Sequence, residues 1–547
     1  MNNSLATQIE QLEDVPTSSF FFNYIDSIWQ GVNTAPMHRF CTLMRKMHAA
    51  SFVSETLVLN DELESERAMV QARLKTDIKL TAKRLTFFDK MPKSHSWDDS
   101  DLSNDNLLGY AIIVYLEADG KNVCTHMLEA VVKPPSIYND NSFIPVTNYY
   151  IHNVRLFTTS VGDANNNRQF EITGSFFSQQ NNLTSVCAHA CLRMAINSSP
   201  FLKEFLKDDK LTNFKINELL KIDFSSKDKQ VGKIPSDPQD SKSGLTNREM
   251  TRVIEALGFR VHSANFLENT NIEYDHFLYP SLESRCPTIL FVEGWDVIGG
   301  RSIAHVVTVL GHTLNSDRWE PEARTGYGNY PIQPYISTSS WCDHFIICDD
   351  NYGMYVTLPT EVIRNYIVPS KNPRLHASAV VSIVPTEIQI PGYFVEQFAM
   401  SIARKLLEKV KLVQTNVWLE RMQTPNLTCR TLLQRGVDYK KFIQGVNKQL
   451  SDKQLSDKQL QCLNALPEYV WISEISLPHI YAGNKHKLGD VVIRANATPQ
   501  ECLNGQGLAF AWFPGFVQLG SSPDAEQWPI NSHVPLIRSS GPNIQEW

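Results

Sequence analysis

The chain has 547 residues, of which 42% are hydrophobic and 20% are charged, which indicates a folded globular protein rather than a disordered or fibrous one. Its formal net charge of −7 argues against nucleic acid or an anionic membrane as the main partner, because both bind basic surfaces. No apolar run approaches the roughly 20 residues that span a bilayer, and the N-terminus shows no secretory signal. The ten cysteines form no disulfide framework and no paired C-x-x-C arrangement, so we expect reduced thiols and a cytoplasmic location.

The N-terminal part of the chain is predicted to comprise two regions. Residues 1–105 are expected to be mainly helical, because Glu, Lys, Leu and Met are frequent there and glycine is absent from 32–108. Residues 106–174 are expected to be rich in β-strands. The Asp119-Gly120 dipeptide between two β-branched and aromatic runs is typical of a hairpin turn. Neither region carries a motif that indicates chemistry.

Residues 175–391 contain the stretch on which the functional prediction depends. Cys187 stands where a polar segment gives way to 188–196, a run with helical propensity whose apolar residues cluster on one side. This pattern predicts that Cys187 lies in the first turn of a helix. Unpaired main-chain N–H groups and the positive end of the helix dipole favour a thiolate there, and the thiolate is the form of cysteine that attacks a carbonyl carbon. We therefore predict that Cys187 is a nucleophile.

The rest of this region predicts a helix followed by several strands, which is an α+β arrangement. Thr246 and Glu249 form a capping box that begins the helix. Strands are predicted at 287–292, at 304–311 and within 344–353, where the strand ends in a turn.

Residues 392–547 are expected to form a further α+β region. A helical segment is followed by three runs typical of strands, 469–475, 490–494 and 508–513, which Gly, Asn and Pro turns separate. These strands either form a separate domain or complete a sheet that begins within 106–174.

A cysteine that transfers acyl groups needs a base, a group that orients the base, and donors for the oxyanion. His305, on the second of the predicted central strands, could be the base. Asp349, at the end of the following strand, could accept the other imidazole N–H and hold the tautomer. Gln180 could donate its side-chain amide to the oxyanion, together with the main-chain N–H of Cys187.

These residues, in this order, resemble the papain-like cysteine peptidases and, within them, the bacteriocin-processing (double-glycine leader) peptidase branch. That branch has a Gln before a Cys-Gly-x-Ala-Cys-Leu-like helix start, then a His-hydrophobic-hydrophobic-x-Val-x-Gly strand and an Asp-Pro-x-x-Gly turn. The counterparts here are Gln180, 187–192, 305–311 and 349–353, and the resemblance covers 175–390. It implies a papain-like central domain, with the nucleophile helix packed on an antiparallel sheet. It also implies hydrolysis of a peptide or isopeptide bond in a protein or peptide substrate.

Two residue assignments stay open. Asp350 stands where the family has proline, so Asp349 and Asp350 are rival partners for the histidine. The spacing from Gln to Cys is one residue longer than the commonest form, so Gln179 and Asn181 compete with Gln180 for the oxyanion.

Two other functions also stay open. The protein could be a papain-like binding or scaffold module in which Cys187 is only a core residue, or a transglutaminase-type acyl transferase that uses the same residues. Cys187, His189 and Cys191 alternate along one predicted helix and do not converge on one ion, so we predict neither a metal site nor a cofactor.

Overall fold

The computed structural model of the protein describes residues 8–11, 34–94, 98, 101–135, 149–162, 167–200, 210–222, 245–266, 272–296, 301–314, 334–363, 375–410, 416–450, 454–484, 486–520, 522, 525–528 and 536–537. These residues form a mixed α+β structure built on three seven-stranded sheets and one two-stranded ribbon. Every described strand pair but one is antiparallel. None of the described helices is both long and apolar enough to cross a membrane.

The first sheet is formed by N-terminal strands in the order β1-β2-β3-β4-β5-β8-β7. Its strands are β1 Gln8–Gln11, β2 Ser51–Thr56, β3 Lys79–Phe88, β4 Leu107–Ala118, β5 Lys121–Val132, β7 Arg155–Gly162 and β8 Asn167–Phe177. Two helices accompany it, α1 Ala35–Lys46 and α2 Asp61–Leu74. The predicted hairpin is confirmed as β4–β5, in which Asp119 and Gly120 both adopt positive φ angles of 50° and 72°.

The prediction that residues 1–105 are mainly helical is wrong for β2 and β3. Side chains of these strands, including Phe52 and Leu85, enter the core, which a pleated strand allows for alternate residues. Charged residues of these strands pair across the sheet. The Arg84 guanidinium of β3 lies 2.9 Å from the Glu55 carboxylate of β2, and the Lys79 ammonium of β3 lies 3.4 Å from the Glu117 carboxylate of β4. These charges are therefore compatible with strands.

The second sheet follows the order β14-β13-β11-β10-β15-β9, with β6 pairing to β11. Its strands are β6 Tyr149–Ile151, β9 Phe259–Asn265, β10 Thr288–Asp296, β11 Arg301–Thr313, β13 His344–Asp349, β14 Gly353–Pro359 and β15 His376–Pro385. The helices of this part are α3 Cys187–Ser198, α4 Asn213–Leu220, α5 Asn247–Ala256 and α6 Tyr274–Glu283. Helix α5 begins with the predicted capping box of Thr246 and Glu249.

Strand β6 belongs to the second sheet, although its neighbours in the chain, β5 and β7, belong to the first. Its register places Ile151 opposite Gly311 of β11. A Cβ atom at Gly311 would collide with the carbonyl oxygen of Tyr150, so this close approach requires glycine. The chain therefore crosses from the first sheet to the second and returns.

The third sheet is built from C-terminal strands and one short central strand, in the order β12-β16-β17-β19-β20-β21-β22. Its strands are β12 Ile336–Ser337, β16 Thr428–Arg435, β17 Tyr469–Ser476, β19 Gly489–Arg494, β20 Leu508–Phe513, β21 Phe516–Leu519 and β22 Ala525–Gln527, and the ribbon is β18 His486–Lys487 with β23 Leu536–Ile537. The helices are α7 Gly392–Val410, α8 Val417–Arg421, α9 Gly436–Leu450, α10 Asp457–Asn464, α11 Pro478–Asn484 and α12 Pro499–Leu503. Among the described residues, the C-terminal strands thus form their own sheet and do not complete the first.

Helix α3 packs between β8 of the first sheet and β11 of the second. Phe176, Leu192 and Leu310 belong to one continuous apolar core that the three elements share. Two hydrogen bonds fasten the helix to β11: the Cys191 thiol donates to the Val306 carbonyl at 3.0 Å, and the Thr308 hydroxyl donates to the Cys191 carbonyl at 3.1 Å. The helix that begins at Cys187 is therefore fixed against the strand that carries His305.

Candidate active site

Helix α3 begins at Cys187, as the sequence predicts. Val186 precedes it in an extended conformation and acts as the N-cap. Every residue of the helix after Cys187 is buried, whereas Cys187 itself is only half-buried. The thiol therefore lies where a helix N-terminus reaches the protein surface, a position that stabilises a thiolate.

His305 and Asp349 are brought together by the neighbouring strands β11 and β13. The Nε2 atom of His305 lies 3.0 Å from Oδ1 of Asp349, and the same oxygen accepts a hydrogen bond from the main-chain N–H of Asn351 at 2.8 Å. The His305 side chain is 20% exposed, so a substrate can reach the ring from solvent. Because Nε2 is engaged by the carboxylate, Nδ1 is the nitrogen that remains for proton transfer.

The charge state of His305 is set by its neighbours. Burial lowers the pKa of the ring, but the hydrogen bond to Asp349, the interaction with the Cys187 thiol and the negative charges of Asp349 and Asp350 raise it to about 11. The thiol is thus close enough to act on the ring, although no fully formed Cys187–His305 hydrogen bond is present among the described residues. Catalytic hydrogen bonds are often loose before substrate binds. At neutral pH the ring is an imidazolium, the form that accompanies a cysteine thiolate.

Asp350 faces the same ring but does not hold it. Its Oδ1 atom is 3.7 Å from Nε2 of His305, which is too far for a hydrogen bond, and neither carboxylate oxygen has a hydrogen-bond partner within the part of the chain that the structure describes. Burial raises the pKa of Asp350 to about 7. The His305 charge and the main-chain N–H groups of Asp350 and Gln180 lower this pKa, whereas the Asp349 charge raises it. Those N–H groups face the carboxylate without forming full hydrogen bonds. Of the two rivals, the geometry favours Asp349 as the residue that orients the imidazole.

Three side chains compete for the oxyanion, and two of them are engaged elsewhere. The Gln179 side chain accepts a hydrogen bond from the main-chain N–H of Met127 at 3.1 Å, and it is buried. The Asn181 side chain is also buried, and its Nδ2 atom donates to Glu66 and to the Thr184 hydroxyl. Gln180 is half-buried and lies beside the Asp349-Asp350 turn. It is therefore the candidate whose amide remains available.

Asn181 organises the loop that precedes α3, a role that the sequence analysis missed. Its Oδ1 atom accepts hydrogen bonds from three successive main-chain N–H groups, at 2.8, 2.8 and 3.0 Å, which belong to Leu183, Thr184 and Ser185. Its Nδ2 atom donates to the buried carboxylate of Glu66 on α2. An Asn followed by Thr and Ser before a helix is a turn signal, so the hydrogen bonds within the loop could have been recognised from the sequence. The bond to Glu66 could not.

His189 caps the helix and is not available for catalysis. It is fully buried, and its Nδ1 atom accepts a hydrogen bond from the main-chain N–H of Val186 at 3.4 Å. Its Nε2 atom donates to Asn217 of α4 at 2.9 Å, and Asn217 in turn donates to the Thr184 carbonyl at 3.2 Å. Burial lowers the pKa of His189 to about 4, against the opposing effect of the Asn217 bond, so the ring is neutral.

Groups of donor atoms that could hold a metal ion occur at three places in the described residues, with the donor atoms of each group within 4.8 Å of one another. These groups are His305, Asp349 and Asp350; His152, Glu283 and His312; and Glu273, Asp275 and His276. In the first group the nearby thiol favours nucleophilic chemistry. All ten cysteines are free thiols, as predicted, and only Cys124, Cys187 and Cys462 are not buried.

No protein-family model matches this sequence, and a search of curated proteins finds no significant match. The function of the chain is therefore inferred from its own side chains and their arrangement.

Proposed function

We propose that the protein is a cysteine peptidase that hydrolyses peptide or isopeptide bonds in a protein or peptide substrate, with a papain-like arrangement of its central part. Cys187 is the nucleophile, His305 the base and Asp349 the residue that orients the base. The supporting observation is the His305–Asp349 hydrogen bond of 3.0 Å on a ring that also interacts with the half-buried thiol at the start of α3. A core cysteine with no chemical role would not need this arrangement.

The proposed reaction proceeds through an acyl-enzyme. The thiol proton of Cys187 resides on Nδ1 of the His305 imidazolium, and the Cys187 sulfur attacks the scissile carbonyl carbon as a thiolate. The main-chain N–H of Cys187 and the side-chain amide of Gln180 stabilise the resulting oxyanion. The imidazolium then protonates the leaving amine as the C–N bond breaks, which leaves a thioester. Water, deprotonated by His305, attacks the thioester, and the carboxylic acid product leaves as the Cys187 thiolate and the His305 imidazolium are restored.

The first test is thiol labelling near neutral pH with a soft electrophile, followed by mapping of the modified cysteines. We expect Cys187 to react at least tenfold faster than Cys124 and Cys462, the other two cysteines that are not buried. Those two are matched controls, because their thiols donate to the carbonyls of Asn181 at 3.3 Å and Ala509 at 3.4 Å. Equal labelling of the three thiols would refute the nucleophile assignment.

The second test measures hydrolysis of a peptide library by the wild-type chain and by Cys187→Ala. We expect the variant to lose hydrolysis completely, and unchanged hydrolysis would contradict the proposal. Adding a primary amine distinguishes a transglutaminase-type acyl transferase from a peptidase, because a transferase would form an amide where a peptidase forms an acid. A scaffold would bind peptides without turnover. Loss of activity on addition of a chelator would instead indicate a metal ion between His305 and the two aspartates.

A further inference from the structure

His152, which directly follows β6, is a buried histidine whose ring is unsatisfied. It is 2% exposed, and neither Nδ1 nor Nε2 has a hydrogen-bond partner among the described residues. Its main-chain N–H is bonded to the Leu310 carbonyl at 2.8 Å, so the backbone position is fixed. A buried polar atom left unpaired is destabilising, and most such atoms in proteins have a partner. The ring therefore indicates that something binds it.

Two ligand-type side chains face the unsatisfied ring. The His152 and His312 rings are 4.8 Å apart between centroids. Nε2 of His312, on β11, lies 2.9 Å from Oε1 of Glu283, the last residue of α6. One donor atom from each of the three residues lies within 4.8 Å of the other two, and all three residues are buried. We propose that His152, Glu283 and His312 bind a divalent transition-metal ion of the zinc class.

The surroundings of these residues match what metal ligands require. Nδ1 of His312 donates to the Thr313 carbonyl at 2.9 Å, which leaves Nε2 to carry the lone pair. The other oxygen of Glu283 accepts from Arg430 at 2.7 and 3.2 Å, so the carboxylate is held with Oε1 facing the histidines. Metal-binding imidazoles and carboxylates are typically held by such outer contacts. Tyr279, whose hydroxyl is also unpaired among the described residues, lies with its ring 4.6 Å from that of His312.

The charges and distances are compatible with an ion. The bound ion takes the place of the hydrogen-bond contact of 2.9 Å between His312 Nε2 and Glu283 Oε1. The nearby Arg430 charge is offset by Glu474, whose carboxylate lies 2.9 Å from it. Zinc takes imidazole and carboxylate donors at about 2.0–2.2 Å, so the three ligands need to close on the ion by on the order of 1 Å. A redox-inert ion of this kind suits a fully buried site that joins β11, α6 and the residue after β6.

Metal analysis of the full-length chain tests this inference independently of the proposed peptidase activity. The chain is prepared as Cys187→Ala, so that zinc cannot bind at the thiol, then equilibrated with Zn²⁺ and dialysed. We expect one zinc ion per chain, and at least tenfold weaker binding when His152→Ala is added. His262→Ala is the matched control, because His262 is also buried but lies outside the cluster, with Nε2 facing the Ile388 carbonyl at 3.2 Å; it retains the ion.

Cobalt substitution gives a second measurement that does not depend on a variant folding. Co²⁺ bound by two imidazoles and a carboxylate shows visible d–d bands without the intense thiolate charge-transfer band. We expect these bands in the Cys187→Ala protein at one equivalent of Co²⁺. Absence of stoichiometric zinc together with absence of the cobalt bands would overturn the inference, as would full zinc binding by His152→Ala. Neither result bears on Cys187 labelling.

Discussion

Two adjacent aspartates face one imidazole at the candidate active site, and their separations from it differ by less than an ångström. Asp349 lies at 3.0 Å and Asp350 at 3.7 Å from His305 Nε2. Because hydrogen-bond strength falls steeply over this interval, the two carboxylates have different roles. Asp349 orients the ring, whereas Asp350 is a buried carboxylate that nothing neutralises fully.

Replacing each aspartate by asparagine distinguishes these roles. Asp349→Asn removes the carboxylate that fixes the ring and stabilises the imidazolium, so we expect kcat to fall by about 10²–10⁴. Asp350→Asn, the matched control, is expected to lower kcat by less than about tenfold. The measurement is steady-state hydrolysis of one peptide substrate. Equal losses in the two variants would show that both carboxylates orient the base.

Asp350 also makes folding stability depend on pH. Its pKa is raised from 3.8 to about 7, so the folded chain keeps a proton that the unfolded chain has released. Stability is therefore lost as the pH rises from about 4 to about 7 and is constant above that range. We expect Asp350→Asn to gain on the order of 4 kcal/mol relative to wild type between pH 4 and pH 8.

Denaturant unfolding at several pH values measures this gain. The quantity to compare is how the difference in unfolding free energy between Asp350→Asn and wild type changes with pH. The buried amide of the variant has a cost that is the same at every pH, so it does not affect this change. Asp438→Asn serves as control, since the Asp438 side chain is 60% exposed on α9. A pH-independent difference for Asp350→Asn would show that this carboxyl is ionised in the folded protein throughout.

At the level of elements, the loop before α3 determines where Cys187 and Gln180 lie. Asn181 satisfies three main-chain N–H groups of this loop and ties it to Glu66 on α2. Gln179 ties the preceding residues to Met127 of β5. Helix α2 and strand β5, which belong to the region of the first sheet, therefore position the loop that leads towards the second sheet.

Asn181→Ala is expected to leave those three N–H groups unpaired, at about 1 kcal/mol each. We therefore expect a loss of about 3 kcal/mol in denaturant unfolding, together with a several-fold slower labelling of Cys187. Asn182→Gly is the matched control, because Asn182 is exposed and has φ of 60°, which glycine adopts readily. It is expected to change stability by less than about 0.5 kcal/mol. Unchanged Cys187 labelling in Asn181→Ala would show that the loop does not position the thiol.

Local patterns predicted some of these elements and missed others. The start of α3 at Cys187 and the capping box of α5 follow from nearby residues, so sequence was sufficient for them. The strand pattern of β11 and β13 likewise placed His305 and Asp349 on neighbouring strands. Strand β3 was missed, because its charged residues Arg84 and Lys79 pair with Glu55 of β2 and Glu117 of β4 rather than with helical neighbours.

The sequence left some site assignments open because they depend on contacts between residues far apart in the chain. The choice between Gln179, Gln180 and Asn181 depends on Met127 and Glu66, which no local pattern connects to them. The cluster around His152 depends in the same way on pairing of β6 with β11.

At the level of the whole molecule, a buried chain of charges joins the second sheet to the third. Arg430 on β16 contacts Glu283 of α6 at 2.7 Å and Glu474 of β17 at 2.9 Å. Glu474 is bonded in turn to Lys487, which also contacts Asp490 at 2.8 Å. All these side chains are fully buried, so each depends on its partners for compensation.

Arg430→Met is expected to lower the free energy of unfolding by about 3–5 kcal/mol, because it leaves the buried Glu283 carboxylate without its guanidinium partner and Glu474 with Lys487 alone. The measurement is denaturant unfolding of metal-free protein. Arg67→Met is the matched control: Arg67 pairs with Glu64 on the surface of α2 at 2.7 Å, and its loss should cost less than about 1 kcal/mol. Similar losses in the two variants would show that the buried charges contribute no more than a surface pair.

The crossing strand β6 has a consequence for the order in which the protein is made. Residues 149–151 leave the ribosome long before β11, their partner, has been synthesised. The first sheet can therefore form before this short strand has a partner to pair with. Because β11 also carries His305, Cys187 is synthesised before its proposed base and before the strand on which α3 packs. The proposed nucleophile would thus be kept from reacting until synthesis has passed the second sheet.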